Sequence, residues 1–120
     1  MDFVARLVGE FPQISSVAEL KIIFYVYEHT HHLTTGKMAR ITYEEFCHGY
    51  NRTDILQTHR LDRGTGLSMS SVIRGIRCAI EHGYLIQRRD SLAEPDAARS
   101  AYFYRLSESL AGTPEGSGTI

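Results

Sequence analysis

Between Ser68 and Glu81 the chain reads SMSSVIRGIRCAIE, and Ser70, Arg74, Arg77 and Glu81 recur at i, i+4, i+7 and i+11. That interval lines side chains along one stripe of an α-helix. Two guanidinium groups less than a turn apart supply planar, forked donors, suited to bidentate bonds with phosphate oxygens or with the O6 and N7 of guanine. Serine hydroxyls at the start of such a helix bond to base edges or to phosphate.

The distribution of charge sharpens this reading. The 120 residues carry a formal net charge of −1, so there is no histone-like basic coat. Residues 50–90 nevertheless hold seven arginines against four acids, a surplus of three. The flanking stretches lean the other way, with four bases against six acids in 1–49 and two against four in 91–120. All seven bases of the middle stretch are arginine, which suits planar recognition better than lysine does.

Other groupings have reactive atoms without the spacing that chemistry needs. His29, His31 and His32, with Cys47 and His48 elsewhere, are zinc-type ligands in no zinc-site pattern, and histidine near a helix C-terminus also serves the helix dipole. Cys47 and His48 are adjacent, so on a helix they point in different directions and cannot act as nucleophile and base. The RGTG of Arg63–Gly66 lacks the lysine and the preceding strand of a phosphate loop. We therefore expect no enzyme, no metal and no cofactor. Two cysteines without CxxC spacing, no secretory leader and no long apolar run indicate a reduced, cytoplasmic protein without a membrane span.

The elements that must hold the arginine stripe follow from periodicity and caps. Phe3, Val4, Leu7 and Val8 predict a short opening helix, broken by Gly9 and Pro12. From Val17, with Ser15 or Ser16 as N-cap, Leu20, Ile23, Phe24 and Tyr27 predict a buried helix of some fifteen residues. Arg40–Thr42 reads as a single extended bridge, and Thr42 with Glu45 forms a capping box for a two-turn helix that places Phe46 inward and ends at Gly49. Turn-rich residues 50–66 read as a long loop. Ser68 then caps the arginine-bearing helix, Leu67 plugs the space between helices, and Val72, Ile76, Ala79 and Ile80 form its inner face up to Gly83. YLIQRRD and AYFYRLS alternate as two strands around a ten-residue tip; Tyr102, Phe103 and Tyr104 alternate in and out, so that Phe103 or its neighbours cover the helices. The expected fold is one mainly α domain with a small β-hairpin over residues 1–110, followed by a flexible tail, 111–120.

ITYEEFxxG, the turn TGLS and SxxSVIRGIRxAIEHGYL together resemble the winged helix-turn-helix, and within it the N-terminal DNA-binding domain of phage-type replication initiators of the replication protein O and DnaD-like groups. The resemblance spans residues 14–107. It implies that the helix from Ser68 enters the major groove of double-stranded DNA with Ser68, Met69, Ser70, Ser71, Arg74 and Arg77. It also implies that wing residues Arg88, Arg89 and Arg99 touch the backbone or minor groove. One departure stands out: Phe46 and Ser68 lie some twenty residues apart, so the segment carrying Arg52, His59, Arg60 and Arg63 must be extruded from a turn that is usually three or four residues long. These loop groups are then further phosphate contacts. The implied role is replication initiation in a phage or plasmid-like element, with a helicase or its loader as further partners and a monomer or weak homodimer as the unit. A transcriptional regulator, or a protein-interaction winged helix of a primosome-like assembly, are the alternative roles. The Gly/Ser/Thr-rich end resembles a linker, so the chain is expected to correspond to the first domain of longer initiators.

Overall fold

Local capping sets the helix starts. Asp2 accepts from the Ala5 amide to begin α1 (Phe3–Gly9), Ser16 accepts from Glu19 to begin α2 (Val17–Thr30), and Thr42 and Glu45 exchange bonds in the capping box of α3 (Tyr43–His48). Ser68 caps α4 (Met69–Glu81) through the Ser71 amide, and a last short turn, α5 (Glu108–Ala111), follows the sheet. A 3₁₀ turn, Phe11–Gln13, links α1 to α2. The structure is a computed structural model and describes residues 2–34, 36–49, 63–90 and 101–112.

Three strands, β1 (Ala39–Thr42), β2 (Leu85–Arg89) and β3 (Ala101–Leu106), pair antiparallel in the order β1-β3-β2. The described residues thus form a compact α+β unit. The expected bridge at Arg40–Thr42 is a full edge strand: Ala39 to Thr42 pair with Tyr104 to Ala101, so the hairpin of β2 and β3 gains a third member. Only the pairing partner, sixty residues away in sequence, reveals this. Alternation then divides the sheet. Leu85, Gln87 and Arg89 oppose Leu106, Tyr104 and Tyr102 on the side that packs the helices, while Arg88 opposes Phe103 on the other. Tyr104 therefore covers the helices, and Phe103 faces away beneath the Arg88 guanidinium, 5.3 Å from its ring centre. The strand tip at 91–100 lies outside the described residues.

The core joins Phe3 and Leu7 of α1, Ile22, Ile23, Tyr25 and Val26 of α2, Phe46 of α3, and Val72, Ile76 and Ala79 of α4 to Ile41, Tyr84, Leu85, Tyr104 and Leu106. Two faces differ from the periodic reading. Phe24 is 45% exposed, because α2 is enclosed on most sides and its deepest contacts fall on Ile22, Ile23 and Val26, leaving Phe24 edge-on to Phe3. Ile80 is 37% exposed at the rim of α4, where Ala79 turns inward instead. Leu67 packs against the core as expected. The chain also stays ordered past residue 110: Ala111 ends α5 and Gly112 is buried, so the unit continues two residues beyond the expected boundary, and 113–120 lie outside the described residues.

The α2–α4 crossing depends on a glycine. A Cβ on Gly75 would stand 3.0 Å from Ile22 Cγ1 and 3.1 Å from the carbonyl carbon and oxygen of Ala18. In Gly75→Ala, helix propensity gains about 1 kcal/mol and offsets that crowding. Gly75→Val adds two methyl groups against fixed backbone and loses about 2 kcal/mol by overpacking, measured by urea denaturation. Equal stability of wild type and valine variant would show that the two helices can separate without cost.

The same pair of helices is clamped by a buried carboxylate. Glu19 is fully buried; Oε1 accepts from the Ser15 amide at 2.9 Å and from its hydroxyl at 3.2 Å, and Oε2 accepts from His82 Nδ1 at 2.6 Å. His82 is the C-cap of α4, so the bond fixes the end of α4 to the start of α2. His82→Ala leaves a buried charge oxygen without its donor and costs about 2 kcal/mol, moderated because His82 itself is partly open to water. Glu19→Gln in the His82→Ala background recovers part of the loss, since an amide needs no counter-charge. A single variant as stable as wild type in urea would remove this clamp from the account.

Candidate nucleic-acid interface

What becomes of the twenty residues between α3 and α4 decides how the arginine stripe is presented. The chain leaves α3 at Gly49, whose φ of +84° ends the helix, and the described residues resume at Arg63. There the backbone folds straight back onto α3. The Thr65 amide donates to the Phe46 carbonyl at 2.7 Å, the Thr65 hydroxyl donates to the same oxygen at 2.6 Å, and the Gly66 amide donates to the Cys47 carbonyl at 3.1 Å. Thr65 Oγ1 also accepts from the Leu67 amide at 3.2 Å, which leads the chain into the Ser68 cap. Gly64 lies so close to α3 that a Cβ on it would stand 2.5 Å from the Gly49 nitrogen. Residues 63–66 are therefore a hydrogen-bonded turn that docks the start of α4 on the end of α3. The long-loop expectation for 50–66 splits accordingly: 63–66 dock on α3, while 50–62 lie outside the described residues, taking Arg52, His59 and Arg60 with them.

The N-terminal turn of α4 is open. Ser68, Met69 and Ser70 are exposed, Ser71 half-buried, and the Ser68 hydroxyl lies 3.0 Å from Ser71 Oγ and 3.3 Å from Ser70 Oγ. Arg74 and Arg77 are exposed, and neither has a carboxylate within ion-pair distance among the described residues. Val72, Gly75, Ile76 and Ala79 hold the opposite face in the core. Unpaired amides of the first turn and the positive end of the helix dipole lie at the serine cluster, a combination that favours an oxyanion.

Two groups unforeseen in the sequence flank this stripe. Lys21 of α2 reaches the Thr65 carbonyl with its Nζ at 3.1 Å, placing a further cation beside the start of α4. Its partner is 44 residues distant, and no local pattern could have signalled it. Tyr43, the first residue of α3, lies close enough to feel the Arg77 charge and stacks on Tyr102 of β3 with ring centres 5.8 Å apart. Burial, and then the neighbouring Tyr102, raise the Tyr43 pKa, so its phenol is a neutral donor. Arg89 opposes Tyr102 in the sheet. A strip thus runs from Arg77 through Tyr43 and Tyr102 to Arg89.

The remaining arginines are sorted by this geometry. Arg88 leaves β2 on the far side of the sheet from Arg89, so the two do not share a surface. Arg40 bonds Asp90 at 2.7 Å and is neutralised there. Arg63 is exposed at the edge of the docked turn.

The histidine and cysteine group has local roles. His29 Nδ1 bonds the Tyr25 carbonyl at 2.9 Å, and His31 stacks on Tyr27 near Glu28. Cys47 is buried, which pushes its thiol pKa up, whereas His48 is exposed. Both cysteines are free thiols. Among the described residues no group of three or more His, Cys, Asp or Glu side chains is placed to hold a metal ion, and no helix is long and apolar enough to cross a membrane. Compared with protein-family models, with curated proteins and with solved structures, the chain matches none.

Proposed function

We propose that the chain is a winged helix-turn-helix domain that binds double-stranded DNA, and that it acts in replication initiation of a phage or plasmid-like element. The observation that carries the reading is the docked turn at residues 63–66: bonds from Thr65 and Gly66 to Phe46 and Cys47 bring the start of α4 to the end of α3 across a twenty-residue separation. Such a turn presents α4 as a rigid bar with Ser68–Ser71, Arg74 and Arg77 outward. Arg74 and Arg77 read base edges or hold phosphates, the serine cluster takes a phosphate at the helix N-terminus, and Arg89 with Tyr102 approaches the backbone from the wing. In this reading the protein is a cytoplasmic binding module and not an enzyme. A helicase or its loader is the partner such a module would deliver to DNA.

The test is fluorescence anisotropy of the chain with a random duplex from 50 to 200 mM salt. The expected result is binding whose log K falls linearly with log salt, with a slope of about −0.9 per phosphate contact and about 3 to 5 contacts in all. Absence of binding at the lowest salt would exclude the proposal.

A second reading, a protein-interaction winged helix of a primosome-like assembly, is favoured by one observation. Val4, Val8 and Phe11 are 58, 52 and 47% exposed on the opening segment. Salt-insensitive binding to a replication protein, with no affinity for DNA, would distinguish it.

A further inference from the structure

The register places Leu85 and Leu106 at one end of the sheet and the Arg89–Ala101 tip at the other. At the Leu106 end, a cavity of about 350 Å³ opens between α1, the last turn of α2, the turn into β1, and α5. Three elements each contribute a cation to its walls: Arg6 from α1, Lys37 from the turn and Arg105 from β3. None of the three has a carboxylate within ion-pair distance among the described residues.

The two acids in the lining do not alter this. Asp2 is committed to the Ala5 amide at 2.9 Å as the α1 cap, and Glu108 lies in the first turn of α5. Arg105 Nη1 donates to the Leu106 carbonyl at 3.4 Å, a long bond that leaves the rest of its fork unused. Arg6 is seated by a glycine. Gly112 has φ +90°, and a Cβ there would meet Arg6 Nη2 at 2.9 Å and its Cζ at 3.0 Å. The absent side chain leaves the guanidinium room to lie against Gly112.

Three cations lining one concave site repel one another unless an anion occupies it, and a guanidinium fork matches the oxygens of a phosphate. The volume is that of a small-ligand site, too small for a macromolecular groove. We propose that this cavity binds a small phosphate-bearing anion, of the class of a phosphate monoester, through Arg6, Lys37 and Arg105. Phosphate is favoured over a monocarboxylate because its three terminal oxygens can each meet one of the three cations, whereas a carboxylate offers two. The site uses none of the α4 residues and stands whether or not the chain binds DNA.

The experiment is an amide NMR titration of the whole chain with inorganic phosphate, and in a second arm ribose 5-phosphate, each against chloride at matched ionic strength. Saturable shifts at Gly36, Lys37, Arg105, Leu106 and Gly112 are expected. Lys37→Gln, at an exposed position, and Arg105→Gln, at a half-buried one, each weaken binding about fivefold with an unchanged thermal midpoint. Tighter binding of ribose 5-phosphate assigns the site to a phosphate monoester, and equal binding assigns it to the phosphoryl group alone; either supports the proposal. Shifts that do not saturate, that fall on Ser68–Ser71 instead, or that persist undiminished in both variants would overturn it.

Discussion

Replacing Arg74 and Arg77 together by alanine lowers the affinity for duplex DNA about thirtyfold and leaves the fold intact. The two guanidiniums are exposed on α4 and have no carboxylate partner among the described residues, so truncating them removes no bond that holds the protein together. Stability should therefore change by less than about 0.5 kcal/mol. An arginine contact to base or phosphate contributes about 1–3 kcal/mol, and taking the low end for two exposed residues gives about 2 kcal/mol, which is close to thirtyfold. The salt slope separates the two kinds of contact. If both arginines hold phosphates, the slope of log K against log salt falls by about 1.8; if both read bases, affinity for the preferred site falls while the slope hardly moves. Arg88→Ala is the internal comparison. It projects from the other side of the sheet and lies over Phe103, so it should weaken binding far less than the pair on α4. Equal losses in the two variants would mean that charge alone, and not the surface built around α4, attracts the nucleic acid.

How far this surface could be read from sequence depends on the range of the interactions that build it. Thr42 with Glu45, and Ser68, cap within three residues and were legible from their spacing alone, whereas for α2 the spacing left Ser15 and Ser16 both open and the structure selects Ser16. The stripe of Arg74 and Arg77 was equally legible, because helical periodicity is local. The failures are long-range. Glu19 lies in the first turn of α2, where an acid commonly faces solvent at the positive end of the dipole, yet it is buried and bonded to His82, 63 residues on. Lys21 stays exposed on α2, and only the fold brings the Thr65 carbonyl, 44 residues on, to its Nζ. In α2 the apolar positions go almost all the way round, so periodicity could not choose between the face of Phe24 and that of Ile22, and tertiary packing decided. Arg88 and Arg89 look interchangeable in the sequence; pairing with β3 sends one to each side of the sheet.

Gly64→Ala destabilises the protein by about 3 kcal/mol, with a fall in Tm of roughly 12 °C for a domain of this size. Two separate costs add. Gly64 has φ +71°, and an alanine in that left-handed region carries about 1 kcal/mol of strain. The added Cβ would also stand 2.5 Å from the Gly49 nitrogen and 2.8 Å from the Cys47 carbonyl carbon and oxygen, all of them backbone atoms that cannot rotate away. The returning chain must shift, and with it the Thr65 and Gly66 bonds to Phe46 and Cys47, which contribute about 1 kcal/mol each. Gly66 supplies the control. Its φ is +74° but nothing lies within 4 Å of a Cβ placed on it, so Gly66→Ala should show the strain alone, about 1 kcal/mol. The difference between the two variants isolates the contact that closes the α3–α4 turn. If Gly64→Ala costs about 2 kcal/mol more than Gly66→Ala in thermal and urea unfolding, the position of α4 is set by the docking of 63–66 on α3, and the length of the chain between them is immaterial to the presentation of Arg74 and Arg77. If the two cost the same, the turn yields without loss, α4 is held by its core face and the His82–Glu19 bond alone, and the orientation of the arginine stripe does not depend on α3.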